Sequence, residues 1–180
     1  MVEDSQILEL YRQGEKDSAL NLIVRNYGKR LYWHIRQMVA SADDTDDILQ
    51  NSFIKIWRSL DSFRGESELY TWIYRIATNE SITFLNKERS KNKFSLTSFE
   101  NILARRLTVT NDFSGDEIQL ALSTEVLKLP DKQKAIFSLR YYQQMDYKQI
   151  AEIVDSSPDA AKASYSVAYK KIESALKNKF

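Results

Sequence analysis

The sequence predicts an all-α protein built from two small helical domains joined by a linker. Strand-like alternation is nearly absent, whereas apolar residues repeat with the period of a helix along most of the chain. Only four glycines and two prolines occur in 180 residues, so few positions favour turns. A polar stretch at residues 90–114 is the predicted linker, which places the domains at residues 1–89 and 115–180.

Composition excludes several classes of protein. The chain has no cysteine and a single histidine, His34, which rules out disulfides and most zinc or iron sites. The charged N-terminal residues do not resemble a signal peptide, and no apolar run approaches 18 residues. We therefore expect a cytoplasmic protein with no cofactor and no membrane insertion of its own.

The net charge of +1 does not indicate a nucleic-acid-binding protein by itself. Residues 1–89 carry a net charge of −2, residues 90–114 of +2 and residues 115–180 of +1. Any contact with DNA therefore depends on local patches of charge.

Four helices are predicted in the first domain. A short helix ends near Gly14, and a long amphipathic helix follows it. The third begins with Thr45 as the predicted N-cap and carboxylates in its first turn, where the helix dipole favours negative charge. It ends before Gly65, and the fourth helix runs to about residue 86.

The linker is long enough to let the two domains reach distant sites. Fully extended, its 25 residues span roughly 85 Å, and as a coil about 30 Å. A short helix is expected within it, at about residues 99–107.

The second domain has the pattern of a helix-turn-helix. Asp146 and Gln149 form a predicted capping box at the start of a short helix, and Ser157 caps a long helix with Pro158 at its first position. The three-residue turn at 155–157 between these helices matches that motif. The long helix would present Lys162, Ser164 and Ser166, which are able to bond base edges or phosphates. An ordinary helical hairpin with a solvated face fits the spacing equally well.

The segment DSFRGESELYTWIYRI, residues 61–76, is unusually rich in aromatic residues. Such rings can stack on unpaired bases. Trp72, Ile73 and Ile76 have helical spacing, however, and core packing explains them better. Phe63 and Arg64 lie beside a turn, where packing in the core is a weaker explanation for them.

No catalytic motif is present, so an enzyme is not expected. The sequence contains no phosphate-binding loop, nucleophile elbow or dinucleotide-type glycine pattern. Asp46 and Asp47 diverge by about 100° on a helix and do not converge on one metal ion. His34 is read as an imidazole on the helix surface or at the edge of the core.

These features together resemble the extracytoplasmic-function (ECF) sigma factors, a family of two-domain bacterial transcription initiation factors. The segment DDILQNSFIKIWRSLDSFRGESELYTWIYRIATNESITFL, residues 46–85, resembles the family's region 2. The segment beginning LPDKQKAIFSLRYY, residues 129–176, resembles region 4. The resemblance implies a factor that binds core RNA polymerase, melts the −10 element and reads the −35 element of promoter DNA.

The resemblance also implies roles for individual residues. One helix would dock on the clamp helices of the beta-prime subunit through Asp47, Gln50, Asn51, Phe53 and Ile54. The −10 strand would meet the loop of Phe63, Arg64 and Gly65, and a path lined by Lys55, Arg75 and Asn79. The −35 duplex would meet Lys162, Ser164 and Ser166, with Arg140 and Tyr147 near phosphates. The beta flap and an anti-sigma factor are further expected partners.

The predicted recognition helix departs from the family pattern. It reads DAAKASYSVAYKKI, with Ser164 and Val167 where basic residues are common and with Asp155 where the turn often has glycine. Fewer charges imply a shallower salt dependence and more reliance on DNA shape.

Two other classes of function remain open at this point. A stand-alone helix-turn-helix regulator would bind duplex DNA as a dimer and would have no use for the DDILQNSF helix or the SFRG turn. A helical adaptor would bind only proteins, and failure to bind DNA in the presence of polymerase would favour it.

Overall fold

The computed structural model describes residues 3–92 and 117–180, which contain eight α-helices and no strand. The linker and its expected short helix lie almost entirely outside these residues. We refer to residues 3–92 as the first half and to residues 117–180 as the second half. The all-α prediction is confirmed for the described residues.

The first half contains four helices, whose bounds are α1, Asp4–Arg12; α2, Lys16–Val39; α3, Ala42–Ser59; and α4, Leu69–Asn92. A 3₁₀ turn, Leu60–Ser62, follows α3. The chain then passes Gly65, whose φ of +73° favours a residue without a Cβ. Helix α2 packs on α1, α3 and α4, and α3 packs on α4.

The second half also contains four helices, α5, Glu117–Leu127; α6, Asp131–Tyr141; α7, Tyr147–Val154; and α8, Pro158–Lys177. The capping box predicted at Asp146 and Gln149 is present, and Ser157 accepts a hydrogen bond from the backbone N–H of Ala160. Asp155 adopts a left-handed conformation with φ of 50°, which aspartate tolerates better than most residues other than glycine. The predicted helix-turn-helix is therefore confirmed as α7, the turn and α8.

The predicted N-cap of α3 is wrong. Ser41 is the N-cap, and its side chain accepts a hydrogen bond from the backbone N–H of Asp44. Thr45 lies one turn inside the helix, fully buried, and its hydroxyl donates to the Ser41 carbonyl. The helix thus begins one turn earlier than the sequence analysis placed it, and Asp43 and Asp44 are the carboxylates of its first turn.

One apolar core joins the two halves. It runs from Ile23 and Leu31 of α2 through Ile73 of α4 to Leu139 of α6 and Ile150 of α7, all fully or almost fully buried. Helix α4 packs on α7 and α6, and α2 packs on α6 and α5. The linker prediction did not anticipate this contact between the halves.

His34 is not on the surface or at the edge of the core, as the sequence suggested. It is completely buried in α2. Its Nε2 atom lies 2.9 Å from the hydroxyl oxygen of Thr78 in α4, and its Nδ1 atom lies 3.1 Å from that of Ser138 in α6. The ring therefore links both halves, and burial lowers its pKa from 6.5 to about 4.

Candidate polymerase and nucleic-acid interfaces

The outer face of α3 carries most of the residues expected to bind polymerase. Asp47, Gln50, Asn51 and Ile54 are exposed and follow one another at the spacing of a single helix face. Ile54 is 42% exposed, which is high for a large apolar side chain. The face therefore combines acidic, amide and apolar groups.

Phe53 lies apart from this exposed face. It is half-buried and packs against the core that α3 shares with α2. A Cβ built on Gly28 of α2 would lie 3.9 Å from its ring, which shows how closely the two helices approach. Its contribution to folding must be separated from any contact with a partner.

The loop before α4 carries the next group of predicted residues. Phe63, Arg64 and Arg75 line one surface cavity of about 340 Å³, together with Trp72. The ring of Phe63 packs on that of Trp72, with centroids 5.2 Å apart. Arg64 is exposed and Arg75 is half-buried. The core thus holds one side of Phe63 more firmly than the sequence suggested.

Arg75 also lines a second cavity, so the predicted −10 residues other than Lys55 form a continuous surface. This cavity of about 490 Å³ includes the exposed Asn79 one turn further along α4. Next to Asn79, Glu80 accepts a hydrogen bond from the Lys55 ammonium group, which ties α3 to α4. Trp72 and Ile76 are half-buried and Ile73 is fully buried, which confirms their predicted place in the core.

Helix α8 brings together two of its three predicted DNA-reading residues. Lys162 and Ser166 are exposed and lie one turn apart on the same face. Ser164 is half-buried and about 200° around the helix from Lys162. Val167, which the sequence placed at an often basic position, is 47% exposed.

Arg140, in the last turn of α6, and Tyr147, the first residue of α7, lie on either side of the turn between these helices. Arg140 donates to the Met145 carbonyl at 2.7 Å, and its guanidinium lies 5.0 Å from the centre of the Tyr147 ring. Tyr147 packs in turn on Tyr165 of α8. These contacts fix the geometry of the helix-turn-helix, whatever else the two side chains bind.

Two family patterns match the chain. The sigma-70 region 2 pattern covers residues 23–91, and the sigma-70 region 4 pattern covers residues 119–172. The ECF RNA polymerase sigma-E factor of Haemophilus influenzae is 34% identical over 167 residues, which are 84% of each chain. The protein belongs to the ECF sigma factors.

Two solved structures share the fold. One is the sigma factor RpoE in complex with the anti-sigma factor NepR from Bartonella quintana, with a TM-score of 0.68 at 17% identity over 87% of this chain and 96% of that one. The other is CnrH in complex with the cytosolic domain of CnrY, with a TM-score of 0.64 at 20% identity over 90% of each chain. These similarities support the two-region helical architecture.

Family membership decides among the functions left open by the sequence. The chain is a sigma factor that directs transcription initiation, and neither the stand-alone regulator nor the adaptor describes it. The relative named above is likewise a sigma factor. Within the described residues there is no cluster of potential metal ligands and no helix long and apolar enough to cross a membrane.

Proposed function

We propose that this sigma factor divides promoter recognition between its two halves. The exposed face of α3 binds the clamp helices of the beta-prime subunit, the surface from Phe63 to Asn79 takes the −10 strand, and α8 reads the −35 duplex. The domains span residues 1–89 and 115–180, with residues 90–114 passing through the polymerase. It acts in the cytoplasm and catalyses no reaction itself.

The observation that carries the −10 assignment is the continuous surface shared by Phe63, Arg64, Arg75 and Asn79. It offers an aromatic ring for stacking, an amide for hydrogen bonding and two guanidinium groups for phosphates, which are the groups that single-strand binding requires. Its position directly after the exposed face of α3 would set the unpaired strand beside the polymerase.

Energetics require a large partner for this task. Melting costs about 1.4 kcal/mol per base-pair step, whereas stacking one flipped base recovers only about 1–3 kcal/mol. A protein of 180 residues with a net charge of +1 cannot hold a bubble open alone. Core polymerase supplies the missing contacts, and the beta flap would hold the second half.

We also propose that an anti-sigma factor regulates this protein. The RpoE relative is described in complex with such a factor. In this chain, Ile54 and Trp57 leave about two fifths of their apolar side chains exposed on α3. A regulatory partner that covered them would also block the proposed polymerase face.

The decisive experiment is transcription in vitro with purified core polymerase and a panel of promoters. Start sites that appear only when the protein is added, and that shift with changes in the −10 and −35 elements, are expected. Failure to start transcription at any promoter, despite stable binding to core, would contradict the proposed division of roles.

A further inference from the structure

An exposed valine lies on the side of α8 that is proposed to meet the −35 duplex. Val167 is 47% exposed. At about 100° of rotation per residue, it lies roughly 100–140° around the helix from the buried side chains of Ala161, Ala168 and Ile172. Val167 therefore lies outside the seam by which α8 packs on the rest of the second half.

The helix itself gains little from a valine at this position. A branched Cβ restricts χ1 in a helix, so alanine or lysine would favour the helical state more. An isolated exposed apolar residue is nonetheless ordinary on a protein surface. What distinguishes Val167 is its place among side chains that are proposed to meet bases.

The neighbours of Val167 form a face suited to the major groove. Around the helix, the order is Lys162, Ser166, Lys170, Ala163 and Val167, all exposed and within an arc of about 140°. The two lysines supply positive charge on this arc, which favours approach to the phosphates. The small side chain of Ala163 lets the helix come close to the base edges, and Val167 then presents two methyl groups to them.

The composition of α8 limits the base edges that it can recognise. Bidentate recognition of adenine uses asparagine or glutamine, and that of guanine uses arginine or lysine. The helix Pro158–Lys177 contains no arginine, asparagine or glutamine. An apolar side chain recognises a different group in the major groove, the 5-methyl group of thymine. Val167 is the largest apolar side chain in the exposed arc, so it is the residue best suited to this contact.

We propose that Val167 is a specificity-determining residue that contacts the 5-methyl group of a thymine in the −35 duplex. The inference rests on the proposed role of α8 in reading that duplex. Lys162 then anchors the helix to phosphate and Ser166 supplies a hydrogen bond, while Val167 distinguishes thymine from the other bases. The −35 element of this sigma factor therefore contains a T·A pair that is read by apolar contact.

The test removes only the methyl group from the DNA. Deoxyuridine replaces thymidine at each thymine of the −35 element, one position at a time, in a promoter that the protein transcribes with core polymerase. Uracil keeps the O4 acceptor of thymine but lacks its 5-methyl group. With the wild-type protein, transcription should fall about fourfold at one position, which is the effect of losing one buried group of methyl size.

The variant Val167→Ser shows whether this side chain reads the methyl group. The ratio of transcription from the thymine promoter to that from the uracil promoter should fall from about four to about one, because the methyl group loses its apolar partner. Val24→Ser, at a valine of α2 that is 39% exposed, is the matched control and should keep the wild-type ratio. Each ratio compares one protein with itself, so a general loss of stability or of polymerase binding cancels.

A second promoter series adds the methyl group instead of removing it. Cytosine at the same position should weaken the promoter. The 5-methyl group of 5-methylcytosine projects into the major groove as that of thymine does. It should therefore restore transcription about fourfold for the wild type and leave Val167→Ser unchanged.

Three results would overturn the inference. Equal transcription from thymine and uracil promoters at every −35 position would show that no methyl group is read. A wild-type ratio in Val167→Ser would assign the methyl effect to another residue or to the shape and deformability of the DNA. If that variant also loses activity equally on both promoters, Val167 contacts a protein surface. If replacement of the whole −35 element changes nothing, the proposed role of α8 itself is wrong, which separates the two failures.

Discussion

The Nδ1 atom of His34 lies 3.1 Å from the hydroxyl oxygen of Ser138, although the two residues are 104 positions apart. The ring is fully buried, and its other nitrogen contacts Thr78. A neutral imidazole has one donor and one acceptor nitrogen, so it can bond both hydroxyl groups without a charge. Protonation would place a cation in the junction between the two halves.

Stability should therefore fall in mild acid. Burial lowers the pKa of His34 from 6.5 to about 4, so the unfolded chain takes up the proton first. The contribution of neutral His34 to the free energy of unfolding is fully present above pH 6.5 and is lost as pH falls toward 4. The loss is about 2 kcal/mol at pH 5 and about 3 kcal/mol in total. Urea unfolding at pH 7.5, 6 and 5 measures the loss.

The variant His34→Gln keeps a donor and an acceptor but has no titrating group. Its unfolding free energy should decline less between pH 7.5 and pH 5 than that of the wild type. Carboxylates titrate in both proteins, so their contribution cancels when the two unfolding free energies are subtracted. Parallel pH profiles would show that His34 does not carry the effect.

The exposed face of α3 supplies the second prediction. Asp47→Arg should weaken binding to core polymerase by about tenfold or more. The substitution replaces a carboxylate with a cation, and the polymerase surface that contacts Asp47 is expected to be complementary to negative charge. Asp47 is exposed, so the fold should not change. Glu9→Arg, on the exposed side of α1, is the matched control. Equal retention of all three proteins on immobilised core would remove α3 from the interface.

The sequence predicted the local structure of this protein better than its long-range contacts. The caps at Asp146 and Ser157 and the turn at 155–157 depend on neighbouring residues, and the structure has them where the sequence placed them. The burial of His34 depends on Ser138 in the other half, which no local pattern encodes. A hydrophobic period indicates that a face is buried but does not identify the element that covers it.

The same limit applies to the candidate sites. The sequence placed Lys162 and Ser166 one helical turn apart, which exposure confirms as one face. It did not reveal that Arg75 and Asn79 would face the carboxylates of Glu152 and Asp155. The first finding follows from spacing along one helix, whereas the second depends on how α4 packs on α7.

The third prediction concerns promoter melting. Asn79→Ala should spare core binding and reduce the open complex by about tenfold, because a base in the cleft loses a hydrogen-bonding partner. Asn178→Ala, an exposed amide near the C-terminus, is the control. Permanganate reactivity of unpaired thymines measures the effect, and wild-type reactivity would remove Asn79 from the strand path.

Phe63→Ala should reduce melting in the same assay. Stacking of one base contributes about 1–3 kcal/mol, and the open complex should lose that stabilisation. Phe63 also packs on Trp72, so loss of the ring affects the loop as well. Phe63→Leu separates these effects, because it fills part of the space but offers no aromatic face. If the leucine variant melts promoters as well as the wild type, base stacking is not the role of this side chain.

The last prediction concerns how α8 reads the −35 duplex. Lys162→Ala should weaken all promoters alike and lower the salt slope by about one unit, because a helix with no arginine needs a lysine to anchor it to phosphate.

Ser166→Ala should instead relax preference at one upstream position by about 1–3 kcal/mol, since its hydroxyl lies on the same exposed face and can reach a base edge. Ser164→Ala should have the smaller effect, because its side chain is half-buried and points away from Lys162.

Lys177→Ala, which removes an equally charged side chain at the far end of α8, is the matched control. A promoter library transcribed at two salt concentrations by each variant measures both quantities, with −10 preferences expected to stay constant. A larger effect of Ser164→Ala than of Ser166→Ala would place the DNA on the other face of α8, and wild-type behaviour of all three would mean that this helix does not read promoter DNA.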